Sequence, residues 1–203
     1  MTSRAILMII AGLVIGLAAA IIVIPGARDA LFPTTTITRT TGKALVGGPF
    51  TLTDETGKRV TEKDFQGRYT LVFFGYTSCP DICPASMQLI AAALGNLGAK
   101  ADRITPIFVS VDPERDTPQK LGEYAKNFDP RIVGLTGTPE EVAAVAKAYK
   151  VYYRKVPNPD SPSNYAMDHT SILYVMGPDG SYLTHFTPTT SVEDMTAKLE
   201  KIL

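Results

Sequence analysis

An unbroken apolar run, Tyr69-Thr-Leu-Val-Phe-Phe-Gly75, gives way after Tyr76 to Thr77-Ser-Cys-Pro-Asp-Ile-Cys-Pro84. A run of this length without polar alternation reads as a strand buried on both faces, and such a strand needs helices packed over it, as in α/β folds. The strand therefore turns into a helix at a segment carrying Cys79 and Cys83, the only two cysteines among 203 residues. Two cysteines four positions apart cannot staple distant parts of a fold. They can close a small redox ring or grip one soft metal ion.

With 45% hydrophobic residues, 20% charged residues and a formal net charge of +0, the chain offers no electrostatic case for a nucleic-acid partner. Residues 5–24 contain no charged or hydrogen-bonding side chain. Twenty residues at about 1.5 Å each span roughly 30 Å, the thickness of a bilayer's hydrocarbon core. A cleavable signal would end in a polar stretch and small residues, whereas Ala18-Ala-Ala20 is followed by Ile21-Ile-Val-Ile24. The reading is an uncleaved single-pass anchor, with residues 1–4 as a short flank; a buried core helix rarely runs so long without a polar position. Residues 25–44, rich in Thr, Pro and Gly, read as a flexible tether. Residues 45–203 suit one soluble domain. The expected location is a bacterial inner membrane with that domain in the periplasm, since no Arg-rich, acidic-poor presequence precedes the anchor.

Along the domain, residues 50–54 and 59–61 read as a hairpin turning near Gly57, ahead of the buried strand 69–74. Helical patterns at 85–97, 118–127 and 139–149 alternate with short apolar strands at 104–111 and 132–135. Strands at 170–176 and 181–186 around Pro178-Asp-Gly180 form a hairpin, and a helix from Val192 closes the chain. This order predicts an α/β core with parallel strands and a terminal antiparallel hairpin.

Each cysteine precedes a proline, and a pre-proline residue is pushed out of the α region. Pro84 then takes the first helical position and Cys83 the N-cap, where the helix dipole favours a thiolate on Cys83. A buried apolar pair would not need Thr77, Ser78, Pro80 and Asp81 around it, and a disulfide closing so small a ring constrains little of the unfolded chain. Thioredoxin-type exchange centres have two residues between the cysteines; here there are three, which leaves room for a metal.

A metal site wants a third ligand. Of two histidines, His169 stands in Ala166-Met-Asp-His-Thr-Ser at the mouth of the strand 170–176, after the loop 157–164. Two thiolates and one imidazole suit copper in either common oxidation state, and zinc can accept the same trio. Asp168 either orients the ring or merely begins the strand. His185 follows the hairpin's alternation as a surface or packing residue, and Met87 and Met167 read as weaker candidates. Val111-Asp-Pro-Glu-Arg-Asp-Thr-Pro118 ends a core strand and opens a helix capped by Thr117. Ligands in open α/β sheets gather beyond the carboxyl ends of strands, so Asp112, Arg115 and Asp116 either frame the site, meet a partner, or serve only the turn.

Three separated motifs, Gly75-Tyr-Thr-Ser-Cys-Pro-Asp-Ile-Cys-Pro84, Val111-Asp-Pro-Glu-Arg-Asp-Thr-Pro118 and Asp168-His-Thr170, resemble those of the Sco (SenC-type) family of membrane-tethered copper proteins, over about residues 48–203. The resemblance implies a thioredoxin-like fold, with a central mixed sheet flanked by helices and added β-hairpins. It implies copper, one ion as Cu(I) or Cu(II), bound by Cys79, Cys83 and His169. It implies a role in assembling the copper-A centre of cytochrome c oxidase, whose copper-bearing subunit is the expected partner beside an upstream copper donor or thiol reductant. The alternative from the same cysteines is a thiol-disulfide reductase that keeps the acceptor's cysteines reduced.

Overall fold

The structure is a computed structural model and describes residues 3, 8, 45–157 and 165–203. The expected tether, the expected anchor apart from Met8, and residues 158–164 of the long loop lie outside the described residues. Residues 42–203 form one compact unit.

Strands β1 (Thr51–Asp54) and β2 (Arg59–Thr61) make the expected hairpin. Its turn places Gly57 at φ +87°, and the Asp54 carboxylate accepts from the N–H groups of Thr56 (2.9 Å) and Lys58 (3.0 Å). Then follow β3 (Tyr69–Gly75), α1 (Ile82–Leu97), β4 (Ile104–Ser110), α2 (Pro118–Lys126), β5 (Val133–Thr136) and α3 (Pro139–Ala148). The chain ends with β6 (Tyr153–Val156), β7 (Ala166–His169), β8 (Leu173–Met176), β9 (Tyr182–Phe186) and α4 (Val192–Ile202).

Seven strands form one sheet in the order β2-β1-β5-β4-β3-β8-β9. The centre is parallel, with Phe73 opposite Phe108 and Val109 opposite Leu135. β1 joins β5 and β8 joins β3 antiparallel, so the sheet is mixed. Helices α2, α3 and α4 begin where the caps predict: the hydroxyls of Thr117, Thr138 and Ser191 accept from backbone N–H groups three residues on, and Pro118 and Pro139 stand just inside their helices.

Successive β3 side chains point to opposite faces, and both faces are covered. Phe73 stacks on Phe108, which meets Tyr124 of α2, while Phe74 packs against Tyr149 and Tyr174 on the other side. Phe73, Phe74 and Phe108 are fully buried, each contributing about 1.5–3 kcal/mol from removal of apolar surface from water. Among the described residues one helical stretch, Ile82–Arg103, is long and apolar enough by composition to cross a membrane. It is a core helix, with Met87, Ile90 and Leu94 buried.

Two local expectations need correction. Helix α1 starts at Ile82 with Asp81 as N-cap, so Cys83 lies inside the first turn and not at the cap. The first N–H groups of a helix have no intrahelical acceptor, so Pro84 costs no hydrogen bond there and the helix begins ahead of it. Strand β8 starts at Leu173, separated by residues 170–172 from the end of β7, which pairs with β6 in a separate two-stranded ribbon with Tyr153 opposite His169. The expected loop histidine is the last residue of β7.

Candidate metal centre

The carboxyl end of β3 delivers the cysteine turn. The Cys79 N–H donates to the Tyr76 carbonyl (3.2 Å), which bends the chain back before α1 begins. Cys83 is fully buried beneath the turn and Cys79 is 8% exposed. A Cβ on Gly75 would stand 2.6 Å from Cys83 Sγ and 2.8 Å from a Phe108 ring carbon, so the strand end approaches the sulfur as only glycine permits.

The ribbon brings the third group. His169 Nε2 lies 3.4 Å from Cys83 Sγ, and the ligand atoms of Cys79, Cys83 and His169 all lie within 4.8 Å of one another. Two metal–sulfur bonds of about 2.3 Å in line span roughly 4.6 Å, so one ion can reach all three with shifts of tenths of an ångström. Both cysteines are free thiols. His169 Nδ1 faces the Thr170 carbonyl at 3.3 Å; a proton held there leaves the Nε2 lone pair facing the sulfurs, the tautomer a metal needs. The edges of Phe73 and Tyr76 bracket the imidazole at centroid distances of 6.2 and 5.8 Å.

The two thiols are driven in opposite directions. A hydrogen bond from Cys83 holds Cys79 far below the ordinary thiol range, down to about 4, against the opposing effect of burial and with help from the Asp81 and Cys83 N–H groups and from His169. Donating that bond, together with burial, pushes Cys83 up. The thiolate therefore sits on Cys79 and not on Cys83 as expected. Both lie near the helix N-terminus and both accept backbone hydrogen bonds, but the Tyr76 N–H on Cys83 does not offset the bond it donates to Cys79 and its deeper burial.

Asp168 turns away from the ring. Neighbouring strand residues face opposite sides, so as His169 points to the cysteines Asp168 points to solvent and pairs with Arg154 at 2.9 Å. His185 is a surface residue that meets the Tyr182 hydroxyl at 2.5 Å. Met87 is fully buried on α1, and Met167 is 8% exposed in the core cluster.

The turn after β4 carries two buried carboxylates. Asp116 accepts from the Thr77 N–H (3.0 Å), the Thr77 hydroxyl (2.5 Å) and the Ser110 hydroxyl (2.7 Å). Asp112 accepts from Arg115 Nε and from the Tyr165 hydroxyl (2.7 Å). Thr77, Tyr76 and Tyr165 escape a sequence reading because what they touch is fixed only in the fold. Gly75 carried a signal in hindsight, a glycine ending a buried strand beside a functional turn.

A family model described as SCO1/SenC matches residues 38–203. The mitochondrial protein SCO1 homolog of Homo sapiens is 47% identical over 147 residues, covering 71% of this chain and 48% of its own length. The chain spans about half the length of this and comparable curated relatives. The structure of Bradyrhizobium japonicum ScoI with copper bound superposes with a TM-score of 0.72 at 47% identity, over 78% of this chain and 99% of that one. BsSco, in which a disulfide switch is identified and which is described as a member of the Sco family of cytochrome c oxidase assembly proteins, superposes with a TM-score of 0.60 at 27% identity, over 79% and 95%. Match length, identity and superposition agree with the three motifs and the mixed thioredoxin-like sheet: the chain belongs to the SCO1/SenC family.

Proposed function

We propose that this protein is a membrane-anchored copper metallochaperone that binds one copper ion through Cys79, Cys83 and His169 and passes it to the copper-A centre of cytochrome c oxidase. The observation that carries the proposal is the convergence of two thiols and one imidazole within 4.8 Å, beyond the carboxyl end of a central strand. Thiolates suit Cu(I), and the imidazole extends the set to Cu(II). A family relative with copper bound supports the choice of copper over zinc.

Burial sets an order of release. Cys83 is the deepest ligand and His169 is partly exposed, so ligands of an acceptor displace the imidazole first, then Cys79, then Cys83. Each exchange keeps the oxidation state of the copper, so no electron donor is required. Residues 5–24 act as the anchor, residues 25–44 as the tether, and the domain works in the bacterial periplasm, supplied by an upstream copper donor. Titration of the purified, reduced full chain with Cu(I) and with Cu(II), beside Cys79→Ser, Cys83→Ser and His169→Ala, tests the proposal. One equivalent bound by the wild type is expected, weakened for both ions in each cysteine variant and for Cu(II) in His169→Ala; a wild type that binds neither ion, or a His169→Ala that holds Cu(II) as the wild type does, overturns it.

The pair of adjacent free thiols favours a second reading, reduction of an acceptor disulfide. The Cys79 thiolate attacks one acceptor sulfur to form a mixed disulfide. Cys83, giving its proton to the acceptor thiolate released in the first step, then attacks Cys79 Sγ; this closes the Cys79–Cys83 disulfide and expels the second acceptor sulfur as a thiolate that solvent protonates, until a thiol reductant restores the pair. This reading makes His169 dispensable: if His169→Ala abolishes oxidase assembly while thiol exchange persists, it fails.

A further inference from the structure

We infer that the turn from Asp112 to Asp116, between β4 and α2, fixes the distance from the thiols to the imidazole, and that Arg115 is the positioning residue that makes the site competent for Cu(II) as well as Cu(I). The inference rests on the copper reading and adds to it which side chains decide between the two ions.

His169 stands at the end of the β6–β7 ribbon, which is a separate two-stranded sheet. A two-stranded hairpin is marginal by itself, so its placement depends on what grips it. Arg115 Nη1 donates to the Tyr165 carbonyl (2.8 Å), one residue before β7, and the guanidinium carbon lies over the Tyr165 ring, 3.7 Å from its centroid. The Tyr165 hydroxyl returns to Asp112 at 2.7 Å, and Lys155 of β6 pairs with Glu114 at 2.7 Å. The same turn holds the cysteine side through Asp116 and Thr77.

Arg115 and Asp116 are consecutive, and their N–H groups both donate to the Asp112 carbonyl, at 3.2 and 3.0 Å. One short rigid turn therefore grips the sulfur-bearing segment with one residue and the imidazole-bearing ribbon with its neighbour. A second line of contact runs parallel: Arg115 lies 5.7 Å over the Tyr76 ring, whose edge meets His169. Burying Asp112 (2% exposed) and Asp116 (1% exposed) is costly as stabilisation but effective for holding a geometry.

The chemistry converts this geometry into selectivity. Two thiolates alone hold Cu(I), whereas Cu(II) needs the imidazole, so a loosened ribbon loses Cu(II) first. Arg115→Lys keeps the charge beside Asp112 but removes the fork and the flat stacking surface. Tyr165→Ala removes the platform and leaves the Arg115–Asp112 pair in place, so it carries the test if the first variant folds poorly. In the full chain both variants are expected to lower Cu(II) affinity roughly 10- to 100-fold, with Cu(I) affinity unchanged and nitrogen hyperfine structure lost from the Cu(II) electron paramagnetic resonance spectrum. Tyr165→Phe keeps the ring under the guanidinium and is expected to restore most of the Cu(II) affinity. Equal losses for both ions, or none for either while the wild type binds both, overturn the inference. A wild type that binds neither ion overturns the copper reading along with it.

Discussion

Cys79 and Cys83 lie four positions apart, and what separates them most is the direction of the hydrogen bond between them, with the deeper burial of Cys83 acting the same way. Cys83 donates and Cys79 receives, so one proton is shared in an ordered way: Cys79 ionises near 4, and Cys83 keeps its proton beyond the ordinary 9.0. Linkage follows directly. Between about pH 4 and 9 the unfolded chain binds more protons at Cys79 than the folded one, so this contribution to stability rises with pH and is lost as pH falls through about 4. Above 9.0 the folded chain holds the Cys83 proton that the unfolded chain releases, so the pair's contribution falls again. In the reduced, metal-free chain the expected outcome is one thiolate seen by ultraviolet absorbance with a midpoint about 4. In Cys83→Ala that midpoint moves up, because the largest cause of the lowering is gone. A wild-type midpoint near 9, or an unmoved one in the variant, contradicts this. The residue types and spacing of Cys79, Cys83 and His169 were readable because the chemistry resides in the side chains. Which sulfur carries the charge was not, because it depends on a hydrogen bond within a turn whose helix start the pre-proline rule placed two residues late.

At the scale of elements, the core alternation was legible from runs such as Tyr69–Gly75, whose apolar length admits only a doubly covered strand. The β6–β7 ribbon was not. Tyr153-Arg-Lys-Val156 and Ala166-Met-Asp-His169 have no sustained alternation, because Met167 and Tyr153 reach the core while much of the remaining hold is polar, through Tyr165, Lys155 and the turn after β4. The join between β3–α1 and β4–α2 is also polar. Asp116 gathers Thr77 and Ser110 in a buried position, with Lys120 at 3.4 Å from the solvent side. Asp116→Ala leaves the Thr77 N–H and the Ser110 hydroxyl without their acceptor, at a cost of about 1–3 kcal/mol for each buried donor stranded. The melting temperature should fall by roughly 4–8 °C for a loss of about 2 kcal/mol in a chain of this size. Asp116→Asn, which keeps one oxygen acceptor, should lose less. Calorimetry on both variants checks the order, and equal melting temperatures for wild type and Asp116→Ala refute the account of the join.

The whole molecule places its entry and its metal centre at opposite ends of the sheet. A Cβ on Gly47 would meet Met176, and Met176 pairs with Thr70 at the start of β3, whereas the cysteines follow Gly75 at its end. Six residue steps at about 3.3 Å put these ends roughly 20 Å apart along the strand. If the anchor proposed above holds the domain by this end, delivery to an acceptor in the same membrane needs the metal centre to be brought round from the other end of the sheet. The Thr- and Pro-rich residues 25–44 are long enough for this if they behave as a chain, because a flexible linker of twenty residues has a root-mean-square reach of roughly 25 Å. Its contribution is effective concentration, near mM for a linker that can span the gap and almost nothing for one that cannot. Deleting residues 32–41 should therefore leave the Cu(I) titration unchanged and sharply lower the rate of copper delivery in membranes that also hold the acceptor. A Gly/Ser replacement of the same ten residues should restore the rate, because reach and not sequence is what the deletion removes. Delivery at the wild-type rate from the shortened chain, or no recovery with the replacement, would show that the tether does more, or less, than set the distance.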